Sequence, residues 1–144
     1  MPTSVTTIYK YAFKNSGLES INLSGCAVAI PEECFYGCTS LETVTGTNAI
    51  TSIGKNAFRK CTSLSSITLP GTLTSIGDYA FCECTGFTNL TIPNSVTSIG
   101  SCAFDYCTSN QTITLNWAEA NNGSHGVNSN AFGYGGVVVQ YSEN

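Results

Sequence analysis

Cysteine is the residue type with most capacity for chemistry in this chain, which has eight cysteines, one histidine and nine carboxylates among 144 residues. An even number of cysteines is typical of a disulfide framework in a secreted protein. A zinc site is not indicated, because there is no Cys-x-x-Cys pair and the single His125 lies outside the cysteine-containing pattern. What these thiols can do therefore depends on where the fold places them.

Five of the cysteines follow a repeated spacing. Cys38, Cys61, Cys84 and Cys107 each come three residues after a phenylalanine, and Cys34 occupies a slot that other repeats fill with alanine. A cysteine confined to small, inward-facing slots behaves as a small hydrophobe. We expect these five to be buried free thiols, although stacked repeats would also bring neighbouring Cα atoms near disulfide range.

The remaining candidates for chemistry lack a readable motif. Cys26, Cys82 and Cys102 fall outside the repeated slots and are the better candidates for exposed thiol chemistry. His125, beside Ser124, has no partner in a catalytic motif, so we interpret it as an exposed loop residue. The carboxylates are scattered, and the glycines recur as turns instead of forming a phosphate-binding loop. The sequence therefore predicts no catalytic residue, cofactor or metal site.

The elements that must position these residues repeat about every 23 residues. Six phenylalanines define the register: Phe13, Phe35, Phe58, Phe81, Phe104 and Phe132. Their steps are 22, 23, 23, 23 and 28 residues. A fixed period in this range indicates stacked repeats, which bury their apolar faces against one another. We expect five clear repeats and a degenerate sixth, with the phenylalanines in one buried column.

Each repeat has three parts. Residues 73–77, Leu-Thr-Ser-Ile-Gly, predict a short strand that ends at a turn. The next part, Ala-Phe-x-x-Cys at 80–84, fits a single helical or 3₁₀ turn that presents phenylalanine and cysteine to one side. The third part, Ser-Ile-Thr-Leu at 66–69, alternates with period two and predicts a second strand. In consecutive repeats these second strands would align in parallel as one continuous sheet.

Small polar side chains occupy the outward side of that sheet. Alternation along each strand points isoleucine and leucine inward and the hydroxyl and amide side chains outward. We call the following ten residues the hydroxyl face: Ser20, Asn22, Thr43, Thr45, Ser66, Thr68, Asn89, Thr91, Thr112 and Thr114. The face is the candidate partner-binding site, because it can offer many weak, adaptable contacts to a protein or a glycan. The alternative is a solvated face whose threonines serve strand formation, since no aromatic or charged residue is interleaved.

Charge and hydropathy exclude two classes of partner. The chain has five basic and nine acidic residues and a net charge of −4. Nucleic-acid binding needs a clustered basic stripe, and electrostatic membrane binding needs a basic patch. No apolar run approaches the length of a membrane span. The expected partner is a protein or a glycan, and the oligomeric state stays open.

The pattern breaks in segment 116–126, which we interpret as an insertion before a degenerate last repeat. It contains Trp117, which is either a cap over the last repeat or a residue that stacks on a ligand. Near the other end, the chain enters a repeat soon after Met1, without a signal or capping segment. We expect residues 1–144 to be a single domain and a fragment of a longer protein.

The repeated phrase Leu-Thr-Ser-Ile-Gly-x-x-Ala-Phe-x-x-Cys-x-x-Leu-x-x-Ile-x-Leu-Pro resembles the BspA-type leucine-rich repeat, from Val5 to about Tyr141. The resemblance implies an α/β solenoid, a right-handed coil with a parallel sheet on its concave side. It also implies a surface or secreted protein of bacteria or protozoa that is used for adhesion or protein binding, without shared catalytic residues. The last step and Gly135 in the cysteine slot depart from the pattern.

Two functions are therefore compatible with the sequence. The leading hypothesis is a non-enzymatic protein-binding or adhesion module of a cell-surface or secreted leucine-rich repeat protein. The alternative is a structural spacer that displays another domain.

Overall fold

The computed structural model describes residues 7–25, 29–108, 110–117 and 124–142. Within these ranges the regular secondary structure consists of ten short β-strands. Their bounds are β1 Ser20–Asn22, β2 Ala29–Ile30, β3 Thr43–Thr45, β4 Ser52–Ile53, β5 Ser66–Ile67, β6 Ser75–Ile76, β7 Asn89–Ile92, β8 Ser98–Ile99, β9 Thr112–Leu115 and β10 Val138–Tyr141.

The strands pair in parallel with equivalent strands of neighbouring repeats. The three Thr-Ser-Ile segments and the equivalent strand Ala29–Ile30 form a four-stranded sheet in the order β2-β4-β6-β8. The strands that follow the cysteine slot form two three-stranded sheets, β1-β3-β5 and β7-β9-β10. The chain is thus a parallel β-solenoid of about five turns of roughly 23 residues. The second strands do not form the one continuous sheet that we expected, because β5 and β7 are not paired.

The helical part of the α/β prediction is wrong. No helix occurs in the described ranges, and the residues around each phenylalanine form turns instead. In residues 33–38 the backbone N–H groups alternate between two kinds of acceptor. The Cys38 amide donates to the Phe35 carbonyl of its own turn, whereas the Phe35 amide donates to the Ala57 carbonyl of the next repeat, 2.8 Å away. A helix needs all of these amides for its own carbonyls, so bonding between repeats replaces it.

The expected column of phenylalanines is confirmed. All six rings stack on their neighbours, with centroids 5.2–5.7 Å apart and interplanar angles of 3–16°. The four inner rings are fully buried, and Phe13 and Phe132 at the two ends are partly exposed. Such offset stacking adds about 0.5–1.5 kcal/mol per pair to the free energy of burial. The column therefore runs through the whole described solenoid and fixes the register of its turns.

The chain rejoins the solenoid after the segment 116–126, of which residues 118–123 lie outside the described ranges. Val127 forms a parallel bridge with Ile99, and the Asn128 amide donates to the Ile99 carbonyl at 2.9 Å. The last strand, β10, then pairs with β9 in register. The degenerate repeat is thus stacked like the others despite its longer spacing.

Candidate partner-binding face

The structure brings the residues of the hydroxyl face together in registered rows. Every one of the ten side chains is exposed or half-exposed, while the inward neighbours along the same strands are buried with one exception, Ile67. Ser20, Thr43 and Ser66 are Cα partners across β1, β3 and β5. Thr91 and Thr114 are partners across β7 and β9. The ten side chains therefore point outward, and the fold divides the face where β5 and β7 separate.

The hydroxyl groups of this face are not committed to the fold. Among the described residues, no serine or threonine hydroxyl of the face bonds another protein group. Threonines elsewhere behave differently: the Thr74 hydroxyl donates to the Thr51 carbonyl at 2.9 Å, and the Thr97 hydroxyl donates to the Thr74 carbonyl at 3.2 Å. Such hydroxyls tie repeats together. Those of the hydroxyl face keep their full capacity to donate and accept.

The ion pairs of the described residues join turns of neighbouring repeats, whereas the exposed Glu19 and Glu42 directly precede β1 and β3 beside the hydroxyl face. Lys10 and Glu32 form an ion pair between neighbouring repeats with an N–O distance of 2.6 Å, and Arg59 and Glu83 form another at 3.3 Å. The hydrogen bond and charge of Lys10 lower the pKa of the Glu32 carboxyl. Because the side chains of these pairs are partly exposed to solvent, each pair contributes little to stability. The hydroxyl face itself is electrically neutral.

The cysteines of the phenylalanine repeat form a hydrogen-bonded series that we call the thiol ladder, comprising Cys38, Cys61, Cys84 and Cys107. Each thiol donates to the phenylalanine carbonyl of the preceding repeat. The Cys61 sulfur lies 3.0 Å from the Phe35 oxygen, and the Cys84 sulfur lies 2.9 Å from the Phe58 oxygen. The prediction of buried free thiols is confirmed for the ladder and for Cys34. The thiols therefore satisfy backbone acceptors and connect turns without disulfides.

Burial makes these thiols poor nucleophiles. It raises the pKa of Cys34 and of Cys107 to about 12, and it raises that of Cys84 well above the ordinary value. The expectation of exposed chemistry at Cys82 is wrong: the side chain is buried, and burial raises its pKa to about 11. Cys102 is half-buried, and Cys26 lies outside the described residues. Since the thiolate is the reactive form, the buried thiols of the native protein should react slowly with thiol reagents.

The buried thiols predict a loss of stability in alkali. An unfolded cysteine titrates near its ordinary pKa of 9.0, whereas folded Cys34 and Cys107 hold their protons until about pH 12. Between these values the unfolded chain binds fewer protons, so stability falls as pH rises by about 1.4 kcal/mol per pH unit for each such thiol. Denaturant midpoints measured from pH 7 to pH 10.5 should stay constant to about pH 8.5 and then fall. A midpoint unchanged at pH 10.5 would contradict the buried thiols.

Trp117 belongs to the core. Its side chain is 3% exposed and packs in the main apolar cluster. The indole stacks on His125 with ring centroids 4.2 Å apart, and the His125 Nδ1 atom lies 2.7 Å from the Val96 carbonyl oxygen. Our interpretation of His125 as an exposed loop residue is therefore wrong, because the ring is half-buried and hydrogen-bonded. Of the two roles considered for Trp117, these contacts favour the cap.

A buried glutamine that the pattern did not predict supports the fifth repeat. Gln111 is fully buried. Its side-chain nitrogen donates to the carbonyls of Cys84 and Phe87 at 2.9 and 2.7 Å, and its oxygen accepts the Thr108 amide at 2.6 Å. Because this polar residue precedes a strand, the apolar periodicity missed it. Within the described part of the chain, no group of three or more His, Cys, Asp or Glu side chains could hold a metal ion.

A parallel solenoid with aliphatic, phenylalanine and cysteine columns at this period defines a leucine-rich repeat protein. The chain belongs to the BspA type leucine-rich repeat family: the family pattern matches six copies over residues 1–86 and 28–134. Leucine-rich repeat proteins are generally protein-interaction modules, and the family is typically surface-associated. The resemblance inferred from the repeated phrase is thereby confirmed.

Two solved structures are similar to this chain. A leucine-rich repeat protein of T. pallidum has a TM-score of 0.72 and 32% sequence identity, covering 77% of this chain and 52% of its own. A leucine-rich repeat protein of Bacteroides ovatus has a TM-score of 0.69 and 24% identity, covering 98% of this chain and 46% of its own. The chain thus spans about half the length of both proteins. No curated protein sequence matches it. The described residues include no helix that is long and apolar enough to cross a membrane.

Proposed function

We propose that this chain is a non-enzymatic binding or adhesion module and that its hydroxyl face contacts a protein partner. The observation that carries the proposal is the pair of registered rows whose hydroxyls have no partner in the described fold. A solenoid uses such rows well, because parallel pairing repeats the same polar group at the strand spacing of about 4.8 Å. The family's general role in protein interaction supports the same reading.

The setting of the module is also part of the proposal. We propose that residues 1–144 form a single domain of a longer protein, displayed at the cell surface or secreted. The support is the surface association typical of the family and the greater length of the two similar structures. A concave hydroxyl face would let a partner contact several repeats at once, which would compensate for weak individual contacts.

Lysine substitutions on the hydroxyl face test its role. In separate variants, Thr43→Lys, Ser66→Lys, Thr68→Lys, Thr91→Lys and Thr112→Lys should each weaken capture of a saturable partner from extracts of host surface proteins more than tenfold. The physical reason is that a strongly hydrated ammonium group must be desolvated at a neutral interface. The matched control is Ser98→Lys, an exposed position on the four-stranded sheet, which should bind normally.

Three outcomes of this test are informative. Binding that survives every substitution on the face would reject the assigned surface. The absence of any saturable protein partner would favour the spacer, and capture of glycans alone would replace the protein by a carbohydrate partner. Unchanged far-ultraviolet circular dichroism of each variant is required, because it shows that the fold is retained.

A further inference from the structure

The hydroxyl face is interrupted where β5 and β7 do not pair. Within a parallel sheet, alternate residues direct both backbone groups to the same neighbouring strand. The Ser66 amide donates to the Glu42 carbonyl of the repeat before it, and the Thr88 and Ile92 carbonyls accept the amides of Thr112 and Asn116 in the repeat after it. The backbone groups of Ile67 and Leu69 therefore face β7 across the interruption.

On the opposite side, Asn89 and Thr91 face β5. Because β5 and β7 do not pair, the backbone groups of Ile67, Leu69, Asn89 and Thr91 that face the interruption belong to no strand ladder of the described chain. Two strand edges thus confront each other without pairing. Unpaired edges are templates on which another extended chain can add its own hydrogen bonds.

A groove lies at this interruption. Its volume is about 380 Å³, within the range of about 300–1,000 Å³ that ligand sites commonly show. Ile67 is half-exposed there, whereas the equivalent Val44 and Leu90 of adjacent repeats are 2% and 3% exposed. The residues that matter for binding are Ile67, Thr68, Leu69, Asn89, Thr91 and Asn116. The groove therefore has an apolar floor, polar rims and no charged or aromatic lining.

The local sequence differs from that of the two preceding repeats at the point where the strands part. Phe87 occupies the inner slot that Leu41 and Leu64 fill in the two preceding repeats, and its larger side chain is buried. Immediately before it, Gly86 replaces Ser63, and a Cβ built on Gly86 would lie 2.6 Å from the Ser63 carbonyl carbon. The two turns are thus in very close contact at Gly86. Phe87 is bulkier than the leucine of the preceding repeat and lies just before β7, where the two strands part.

We propose that this groove binds an extended, uncharged peptide segment through its main chain, in the manner of an added strand. The inference rests on the proposed function and names the class of partner that the hydroxyl face would recognise. Unpaired N–H and C=O groups at strand spacing match a peptide backbone, and the Ile67 floor accepts alternate apolar side chains. The neutral lining favours neutral side chains. A sugar fits less well, because no aromatic ring lines the groove to stack against it.

A defined peptide tests the binding mode. The probe is a capped, fluorescein-labelled Gln-Thr-Ile-Thr-Leu-Asn-Trp, the sequence of residues 111–117, which includes the strand that already pairs with the other edge of β7. Fluorescence anisotropy should show saturable binding. Two control peptides carry N-methyl groups at the second and fourth, or the third and fifth, residues. At least one of them should bind more than tenfold more weakly; equal binding by all three would overturn the main-chain mode.

Variants of the protein test the place of binding. Phe87→Leu restores the side chain of the preceding repeats, so it should close the groove. Hydrogen exchange of the Ile67 and Asn89 amides should then become slower, and peptide binding should weaken more than tenfold. Asn89→Lys leaves the core intact and should weaken binding of the peptide by a similar factor. This variant therefore decides the outcome if Phe87→Leu does not fold. Undiminished binding to Asn89→Lys, or slow exchange of both amides in the wild-type protein, would overturn the proposal.

The Thr43→Lys variant separates this inference from the proposed function. Thr43 lies on the hydroxyl face but does not line the groove. If Thr43→Lys loses the protein partner and still binds the peptide, both proposals stand. If the lysine variants of the hydroxyl face all keep the protein partner while Asn89→Lys loses the peptide, the face fails as the partner site and the groove remains a peptide site.

Discussion

Replacing Phe81 with alanine should lower the free energy of unfolding by about 3–5 kcal/mol. The ring is fully buried and stacks on both sides, with centroid distances of 5.3 Å to Phe58 and 5.4 Å to Phe104. Its removal would leave a cavity in the middle of the column, where the hydrogen bonds between repeats prevent collapse. Urea denaturation followed by circular dichroism measures the loss.

Phe13→Ala is the matched control for this prediction. Phe13 is partly exposed and, among the described residues, stacks on Phe35 alone. Its loss should therefore cost clearly less, about 1–2 kcal/mol. Equal losses at Phe13 and Phe81 would contradict a continuous column, because the column makes an inner ring contribute two stacked contacts and an end ring one.

Gly77→Ala should lower the free energy of unfolding about as much as Phe81→Ala does, although it adds only a methyl group. A Cβ at Gly77 would lie 2.8 Å from the Gly54 carbonyl carbon and 2.8 Å from the Lys55 nitrogen. Both are backbone atoms of the preceding repeat, so no side-chain rotation relieves the contact. The repeats would have to separate, and we expect a loss of about 3 kcal/mol or more. Thermal and urea unfolding of the variant would measure it.

Gly71→Ala provides the control in an adjacent turn. A Cβ at Gly71 would meet no atom within 4 Å, so the substitution should change stability by less than about 0.5 kcal/mol. If Gly77→Ala is as mild as Gly71→Ala, the close stacking of the Ile-Gly turns would be wrong. A large difference would show that glycine at this slot is required by the approach of one repeat to the next.

The hydroxyl groups without protein partners and the unpaired edges of β5 and β7 lie on the same surface of the solenoid. In the two proposals, the hydroxyl face would supply many weak, neutral contacts, and the groove between β5 and β7 would supply directional hydrogen bonds from backbone groups. Directional main-chain bonds give register, and side chains at the rim give selectivity. A partner that used both would need a neutral extended segment.

The sequence by itself determined the period, the phenylalanine column, the buried thiols and the outward row of hydroxyls. These features are periodic properties of single side chains. Phe58 and Cys61 have equivalent apolar residues in the neighbouring repeats. Stacked repeats bury such residues against one another, so both side chains are expected to point inward. Alternation along a strand then places Thr43 and Thr68 outward without further information.

Only the tertiary structure decided the conformation of the turns and the break in the sheet. Glu33, Lys60 and Tyr79 adopt positive φ angles of 52°, 64° and 56°, which such residues rarely adopt and no local preference predicts. Bonds from alternate amides to the next repeat hold the backbone in this shape, and a helix is excluded for the same reason. The gap beside Phe87 likewise depends on how one repeat packs on another, a contact between chain segments that no single repeat encodes.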